Sequence, residues 1–190
     1  MNPPHKIRII AGLWRSRQLT VAPLASVRPT GNRIRETVFN WLQRDIAGAR
    51  CLDLFAGSGA MGFEALSRGA TQVVFIEQHP IAVEYLLRNA HQLNAEQADI
   101  KQSNAMTFLT TPPAAGFDIV FLDPPFDENL LESCLAQLKE NNFLNSPAKI
   151  YLEHNQPLSQ ITLPAGFELI RHQKAGQVYY GLVGASPSLS

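Results

Sequence analysis

From residue 50 onward, the chain alternates between short apolar runs and segments with helical spacing, and this alternation constrains the fold more than any other feature. The apolar runs have the length and composition of strands, and the first gaps between them are filled by helical patterns. Strands that alternate with helices are typical of a doubly wound parallel sheet. The predicted strands are 51–55, 72–77, 98–102, 117–122, 148–153, 167–173 and 177–183, and the predicted helices are 60–68, 80–93, about 104–109 and 128–140.

The last two predicted strands are joined near Ala175-Gly176, with too few residues between them for a helix. A hairpin there places an antiparallel pair at one edge of the sheet. We therefore predict an α/β fold with a seven-stranded, mostly parallel sheet and a small N-terminal extension. The predicted division is an extension of residues 1–45, a main domain of residues 46–184 and a disordered tail of residues 185–190.

The extension is predicted to contain a β-hairpin and a helix. Residues 7–21 form two short strand-like runs around a basic turn. Thr30 stands where a helix N-cap is expected, and Ile34, Val38 and Trp41 then share one face of the following helix. We expect this apolar face to dock on the sheet.

The net charge of zero hides a strong asymmetry along the chain. Residues 1–50 contain nine basic and two acidic residues, whereas the remaining chain contains seven basic and fourteen acidic residues. Such an asymmetry indicates a local polyanion-binding face, and arginine suits phosphate contacts through its planar fork. The alternative is that the arginines only solvate the outer side of the helix. The candidate substrate-binding residues are Arg28, Thr30, Arg33 and Arg35.

Several classes of protein are not supported by the sequence. No apolar run approaches the roughly 18 residues of a membrane span, and the start of the chain does not resemble a signal peptide, so we expect a cytoplasmic protein without membrane contact. Cys51, Cys134 and the five histidines show no metal-ligand spacing, so both cysteines are predicted to be reduced and buried and no metal is expected. We expect a monomer, although nothing in the sequence excludes self-association.

A glycine-rich turn follows the first strand of the main domain. The run from Leu52 to Gly62 is an apolar strand, a turn that contains Gly57 and Gly59, and the start of a helix. Glycines let a ligand approach the backbone closely, and a helix start offers free N–H groups. Ligands of open α/β sheets bind beyond the carboxyl ends of the strands. The turn is therefore a candidate cofactor site, and a tight turn without a ligand is the alternative.

Two acids near this turn bear on the identity of the cofactor. The pattern G-x-G-x-x-G, with Glu77 at the end of the next strand, fits a dinucleotide as well as S-adenosylmethionine, because both present ribose hydroxyls to a carboxylate. Asp53, within the first strand, favours S-adenosylmethionine, because it can receive the amine of that cofactor but would repel a pyrophosphate. The segment Phe55-Ala56-Gly57-Ser58-Gly59 also looks like the cofactor loop of class I methyltransferases, and all five residues are candidate cofactor contacts.

The candidate catalytic residues follow the fourth strand, in the sequence Asp123-Pro124-Pro125-Phe126. The two prolines stiffen the chain where it leaves the strand. They also remove two backbone N–H donors, which leaves carbonyl groups as acceptors. An exocyclic base amine needs acceptors for its two N–H groups, and the Asp123 carboxylate and the Pro124 carbonyl can supply them. Phe126 offers a face on which a base can stack. A plain strand-ending turn is the alternative.

Taken together, these motifs resemble the bacterial RsmD family of 16S ribosomal RNA guanine-N2 methyltransferases, over nearly the whole chain. The segments that carry the resemblance are Arg8-Ile9-Ile10-Ala11-Gly12, Trp14-Arg15, Arg28-Pro29-Thr30, residues 33–40, residues 53–62, Ser103-Asn104-Ala105, Asp123-Pro124-Pro125-Phe126 and Ala175-Gly176-Gln177-Val178. The N-terminal segments distinguish this family from other enzymes that share the Asp/Asn-Pro-Pro-aromatic loop.

The resemblance implies a Rossmann-like class I methyltransferase domain whose extension grips ribosomal RNA. It implies S-adenosylmethionine as cofactor and S-adenosylhomocysteine as product. The substrate would be one guanine of 16S RNA, position 966 in the usual RNA numbering, within the small ribosomal subunit. Asp53, Gly57 and Gly59 would then line the methionine end of the cofactor, Glu77 its ribose and Asn104 and Ala105 its adenine, with Asp123 also bordering it.

Three other functions remain open at this point. An amino-methyltransferase of the same loop class could act on DNA adenine or on a protein glutamine amide. A nicotinamide-dependent oxidoreductase could use the G-x-G-x-x-G pattern. A catalytically inactive RNA-binding module is disfavoured by the presence of Asp123.

Overall fold

The computed structural model describes residues 5–24, 30–125 and 130–185, so the predicted contacts Arg28 and Phe126 and residues 186–190 of the predicted tail lie outside the described residues. The strands are β1 (Lys6–Arg8), β2 (Gln18–Thr20), β3 (Arg50–Asp53), β4 (Gln72–Glu77), β5 (Ala98–Gln102), β6 (Phe117–Leu122), β7 (Leu144–His154), β8 (Phe167–Ala175) and β9 (Val178–Ala185). The α-helices are α1 (Asn32–Trp41), α2 (Ala60–Ser67), α3 (Pro80–Leu93), α4 (Ala105–Leu109) and α5 (Leu130–Glu140).

Seven strands form one sheet in the order β5-β4-β3-β6-β7-β9-β8. The strands from β5 to β7 run parallel, whereas β9 is antiparallel to both β7 and β8. The predicted fold class and the antiparallel edge hairpin are therefore confirmed. The chain builds outward from β3 through β4 to β5 and then crosses to β6 on the other side of β3. This reversal creates a switch point between β3 and β6, where open α/β sheets bind their ligands.

The sheet is buried on both faces, because its central strands carry apolar side chains in both directions. One face packs against α1, α2 and α3, with Phe39, Phe63 and Phe75 in its core. The other face packs against α4 and α5, with Leu135 and Phe143 in its core. Both cysteines are buried and unpaired, as the sequence predicts.

The N-terminal extension shares a core with the main domain instead of forming a separate body. Ile9 and Leu19 of the β1–β2 region belong to the same apolar cluster as the α1–α3 face of the sheet. The basic turn between the two strands is anchored to the last residue of α2, because the backbone N–H of Leu13 donates to the Ser67 carbonyl at 2.7 Å. α2 starts at the glycine turn and runs back along the sheet for about 12 Å. The basic turn therefore lies toward the amino ends of the strands, opposite to the predicted cofactor site at their carboxyl ends.

Three predicted boundaries need correction. The N-cap of α1 is Gly31, which makes no side-chain cap bond, so the prediction that Thr30 caps this helix is wrong. β7 begins at Leu144, four residues before its predicted start. The prediction missed these first residues because they are mostly exposed and lack an apolar pattern. Ala185, which the predicted tail includes, is the last residue of β9 and pairs with Ala148.

Within the part of the chain that the structure describes, no helix combines the length and apolarity needed to cross a bilayer. The same residues contain no group of three or more His, Cys, Asp or Glu side chains arranged to hold a metal ion.

Candidate active site

The glycine turn and the segment Asp123-Pro124-Pro125, which follows β6 and is called the Asp123 exit, lie side by side at the carboxyl ends of the strands. β3 and β6 are parallel neighbours, with Asp53 paired with Phe121. Beyond this pair, the backbone N–H of Leu54 donates to the Phe121 carbonyl at 3.1 Å. The last residues of β3 and β6 are therefore bonded to each other where the glycine turn and the Asp123 segment begin. A reaction between ligands held by the two segments requires this proximity.

The glycine turn is anchored by the acid that ends β4. Glu77 accepts a hydrogen bond from the Gly57 backbone N–H at 2.9 Å through one carboxylate oxygen. Its other oxygen accepts from the His79 N–H at 2.8 Å. Gly57 itself has a φ of +50°, in the left-handed region that glycine adopts readily. Glu77 thus lies against the turn, and each carboxylate oxygen keeps a lone pair for a ligand hydroxyl.

Two glycines of the G-x-G-x-x-G pattern are required by packing inside the protein. A Cβ at Gly59 would lie 2.6 Å from a methyl carbon of Leu86, and a Cβ at Gly62 would lie 2.2 Å from the Phe75 ring. Gly59 also has a φ of +75°. The pattern is therefore explained in large part by helix packing, and it is no argument for a pyrophosphate site by itself.

Asp53 is buried beneath the turn, with an exposed fraction of 4%. One of its oxygens accepts from the Gly62 backbone N–H at 3.0 Å, near the start of α2. Burial raises the pKa of Asp53 to about 7, the Gly62 hydrogen bond opposes this shift, and the charge of Glu77 adds to it. Among the residues that the structure describes, none donates a hydrogen bond to the other carboxylate oxygen, so an acceptor of poorly neutralised charge lies below the turn. Around it, Ala56 and Ser58 are buried and Phe55 is half-buried.

Asp123 lies at the end of β6 and is partly exposed, while Pro124 is buried and Pro125 is exposed. Burial raises the pKa of Asp123 well above its usual range, and the nearby charges of Glu153 and Asp53 raise it further. Two further carboxylates therefore lie near the predicted catalytic carboxylate. A cation bound there would relieve their mutual repulsion.

The third predicted contact region is the start of α4, beyond β5. Asn104 is the N-cap of this helix, and its side-chain oxygen accepts from the N–H groups of Met106 and Thr107 at 2.9 and 3.2 Å. Its amide nitrogen donates to the Gln78 side chain at 3.1 Å. The side-chain oxygen of Asn104, a predicted adenine contact, therefore already caps a helix. Ala105, the first helical residue, is buried.

Comparison with known proteins agrees with this arrangement. A family model described as "Conserved hypothetical protein 95" matches residues 7–184. Ribosomal RNA small subunit methyltransferase D of Haemophilus influenzae is 44% identical over 184 residues, which cover 95% of each chain. This family is the one that the sequence motifs resemble. The chain belongs to the RsmD family.

Solved structures support the same assignment of the fold. The structure of yhhF from Escherichia coli, a proposed methyltransferase, aligns with a TM-score of 0.87 at 44% identity and covers 96% of this chain and 99% of its own. SMU.776, a proposed methyltransferase solved in complex with S-adenosylhomocysteine, aligns with a TM-score of 0.64 at 13% identity and covers 80% of this chain and 48% of its own. At that identity, the second likeness shows the fold alone. The Rossmann-like methyltransferase fold is thereby established for this RsmD-family member.

The structure separates the predicted RNA-contacting residues of this RsmD-family member. Arg33 is exposed on α1. Arg35 has no exposed surface and forms a buried ion pair with Glu64 at 3.3 Å, so the prediction that it contacts substrate is wrong. Thr30 is partly buried, and its side chain hydrogen-bonds Glu153 at the end of β7.

Sequence reasoning missed Glu153 and its partner Tyr151. Both are buried, and the Tyr151 hydroxyl donates a hydrogen bond to Glu153. β6 and β7 are paired through Leu122 and Leu152, so Glu153, near the end of β7, lies beside Asp123, which directly follows β6. The signal in the sequence was an acid at the carboxyl end of an otherwise apolar strand, where ligands of such sheets bind.

An open cleft of about 350 Å³ lies elsewhere, at the amino ends of β3 and β6. Its lining includes Asp45, Gly48, Asp118 and Lys149, and it contains none of the predicted site residues. Because ligands of doubly wound sheets bind beyond the opposite ends of the strands, we do not assign this cleft to the active site.

Proposed function

We propose that this chain transfers a methyl group from S-adenosylmethionine to the exocyclic N2 amine of one guanine, position 966, in 16S ribosomal RNA of the small ribosomal subunit. The observation that carries the proposal is the pairing of β3 with β6, which brings the Asp123-Pro124-Pro125 exit beside the glycine turn. The substrate class follows the relatives, which are named for ribosomal RNA of the small subunit.

The residues of the glycine turn fit S-adenosylmethionine in chemistry and in position. Asp53 keeps an acceptor oxygen below the turn that suits an ammonium group. Glu77 lies against Gly57, where a ribose can reach its remaining lone pairs. The excess of buried acid suits a cationic ligand and disfavours the pyrophosphate of a dinucleotide. A protein of this fold was solved with S-adenosylhomocysteine, which supports the same choice at the level of the fold.

When bound, S-adenosylmethionine supplies an activated methyl group, whose bonding electron pair stays with the sulfur as the methyl leaves. The protein supplies position and charge. The Asp123 carboxylate and the Pro124 carbonyl accept the two N–H groups of the base amine and so aim its lone pair at the methyl carbon. As the N–C bond forms, the nitrogen becomes positive, and one N–H proton passes to the Asp123 carboxylate while its bonding pair returns to nitrogen.

The extension is proposed to hold the RNA near this edge of the sheet. Thr30 connects the start of α1 to the end of β7, and Arg33 is exposed on the first turn of the same helix. An arginine at this place can bind a backbone phosphate without reading the base. The target base must be unstacked, or presented from a single-stranded loop, to reach Asp123.

The test is methylation of small-subunit particles isolated from cells that lack this protein, with labelled S-adenosylmethionine as donor. We expect one N2-methylguanosine in 16S RNA, located by mass analysis of nuclease fragments, and none with Asp123→Ala. Duplex DNA and total protein, supplied in parallel, test the adenine and glutamine alternatives. Label confined to DNA or protein contradicts the ribosomal substrate, and tight NAD(H) binding without S-adenosylmethionine binding contradicts the reaction class.

A further inference from the structure

The carboxyl end of β7 carries a buried acid that the proposed reaction does not use. Glu153 has an exposed fraction of 5%, although it lies at the edge of the sheet where the site opens. The paired residues Phe121 and Tyr151 are followed by Leu122 and Leu152, and the next residues are Asp123 and Glu153. Neighbouring strands of a sheet lie about 4.8 Å apart. The two acids therefore lie at the same level, at the carboxyl ends of adjacent strands.

The two acids also share one face of the sheet. Side chains of a strand alternate between faces, so Asp123 points to the same side as Phe121, and Glu153 to the same side as Tyr151. The rings of Phe121 and Tyr151 contact each other, with centroids 6.4 Å apart. The carboxyl groups of Asp123 and Glu153 thus project beside each other, above this ring pair.

Two hydrogen-bond donors reach Glu153. The Tyr151 hydroxyl donates from within the same strand, and the Thr30 side chain donates from the segment that leads into α1. Both bonds stabilise the ionised form of Glu153. In the part of the chain that the structure describes, neither Glu153 nor Asp123 forms an ion pair with a lysine or arginine.

Two negative charges among the described residues act on Asp123. Glu153 faces it from β7 and Asp53 from β3, and both raise its pKa in addition to the effect of burial. The Tyr151 hydroxyl interacts with Glu153, Asp123 and the hydroxyl of Tyr180, so both tyrosines belong to the ionisable groups that the structure describes in this region. Two adjacent, poorly solvated carboxylates share a proton more readily than they both ionise. Because Glu153 has the hydrogen-bond donors, Asp123 is the more favourable site for a shared proton.

We propose that Glu153 is a positioning residue for Asp123: supported by Tyr151 and Thr30, it keeps the shared proton on Asp123 until a cationic ligand occupies the site. This inference rests on the proposed function, because the cation is the sulfonium of S-adenosylmethionine. When the cation binds, the O–H bond of Asp123 breaks, its electron pair stays on the carboxylate, and the proton leaves to solvent. Asp123 then becomes an acceptor only when a methyl donor is present, and S-adenosylhomocysteine, which has no sulfonium charge, leaves it protonated.

Calorimetric titration of the full-length protein in two buffers of different ionisation enthalpy measures this proton directly. We expect the wild type to release more protons with S-adenosylmethionine than with S-adenosylhomocysteine near neutral pH, with a difference of up to about one proton. Both ligands carry the same amino-acid end, so any proton that Asp53 releases cancels in the difference. In Glu153→Gln, we expect the difference to shrink, because Asp123 is already ionised before the ligand binds.

Matched variants separate this role from a structural one. Glu168→Gln makes the same substitution at an exposed position of β8 and should keep the wild-type difference. Tyr151→Phe and Thr30→Val leave the charge of Glu153 in place and remove only its donors, so the difference should shrink in them as well. These two variants decide the question if Glu153→Gln does not fold.

The pH profile of methyl transfer supplies a second measurement. Removal of the neighbouring negative charge lowers the pKa of Asp123, so the acidic limb of the profile moves to lower pH in Glu153→Gln. A purely structural residue would change the melting temperature without moving this limb. An unchanged proton difference together with an unmoved limb, in folded variants, overturns the role of Glu153 and leaves the proposed function intact. Failure of S-adenosylmethionine to bind the wild type overturns both.

Discussion

Arg35 and Glu64 form an ion pair that is fully buried between α1 and α2, with 3.3 Å between the guanidinium and the carboxylate. Glu64 also accepts from the backbone N–H groups of Ile10 and Ala11 at 2.8 and 3.0 Å. Arg35 donates to the Arg8 carbonyl at 2.9 Å. The pair therefore ties the N-terminal extension to the methyltransferase domain, which explains why an arginine of the basic segment is unavailable to RNA.

Arg35→Ala should destabilise the protein without a direct effect on RNA. The substitution leaves Glu64 buried with fewer partners, and loss of one member of a buried pair costs about 3 kcal/mol. Glu64 keeps its bond to Arg68 at 2.7 Å, which places the expected loss at the lower end of the range for such pairs. Urea unfolding measures it, with Arg33→Ala as the control of unchanged stability. Native stability combined with lost RNA binding would contradict this account of Arg35.

Arg33→Ala should weaken RNA binding and reduce its salt dependence. One phosphate contact contributes up to about one unit to the slope of log affinity against log salt. Arg15→Ala is the matched control, because Arg15 lies in the basic turn that is anchored to Ser67, at the edge of the sheet away from Asp123. Filter binding to small-subunit particles over a range of salt gives both slopes. A reduced slope for Arg15→Ala alone would mean that the RNA approaches the opposite edge.

Asp53→Asn should change how stability depends on pH. The pKa of Asp53 is about 7 in the folded protein, above its usual value of 3.8. An acid whose pKa is raised by folding stabilises the folded protein fully at pH values below its pKa in the unfolded chain. This stabilisation is lost as the pH rises through its pKa in the folded protein. The variant should therefore match the wild type at acidic pH and exceed it above pH 7, by up to about 4 kcal/mol. Unfolding curves between about pH 5 and pH 8 measure the difference.

The same Asp53→Asn variant should bind S-adenosylmethionine more weakly, because the proposed acceptor for the amine has lost its charge. Asp45→Asn, at an exposed position, is the control for the substitution itself. A pH dependence of stability identical to that of the wild type would show that Asp53 is not held in the raised state that burial implies.

Gly62→Ala should destabilise the protein through packing. The added Cβ would lie 2.2 Å from the Phe75 ring, inside a close-packed core, and overpacking of this kind costs about 1–3 kcal/mol. Gly31→Ala is the control, because nothing lies within 4 Å of a Cβ at that position. Thermal unfolding distinguishes the two. A Gly62→Ala variant that keeps its stability and loses only cofactor affinity would return this glycine to a ligand-binding role.

Much of the fold could be predicted because the parallel strands are continuous apolar runs bounded by turns. β4, β5, β6 and α3 have the predicted bounds, and the hairpin at Gly176 lies where the sequence places it. The prediction was less accurate where the polarity of the residues does not indicate the secondary structure. The exposed first residues of β7 carry no apolar pattern, and Gly31 replaces Thr30 as the cap of α1.

The places of the candidate site residues at the strand ends could be predicted from the sequence, but their charge environment could not. Asp53, Glu77 and Asp123 stand out in the sequence because each lies where an apolar strand ends, on the side of the sheet where ligands bind. The burial of Arg35 depends on Glu64, which is 29 residues away in the sequence, and fully buried arginines are uncommon. The bond between Thr30 and Glu153 likewise joins distant segments, which no local pattern reveals. Such pairings appear only when the tertiary structure brings the two side chains together.

The most direct test of the account compares methyl transfer with cofactor binding in Asp123→Ala. Because Asp123 is proposed to accept the amine proton and lies beside the glycine turn without forming it, we predict that transfer to small-subunit particles falls by at least about 100-fold. We also predict that the dissociation constant for S-adenosylmethionine, measured by calorimetry, stays within a few fold of the wild-type value. Transfer at the wild-type rate, or loss of cofactor binding together with transfer, would contradict the proposed role of the β6 exit.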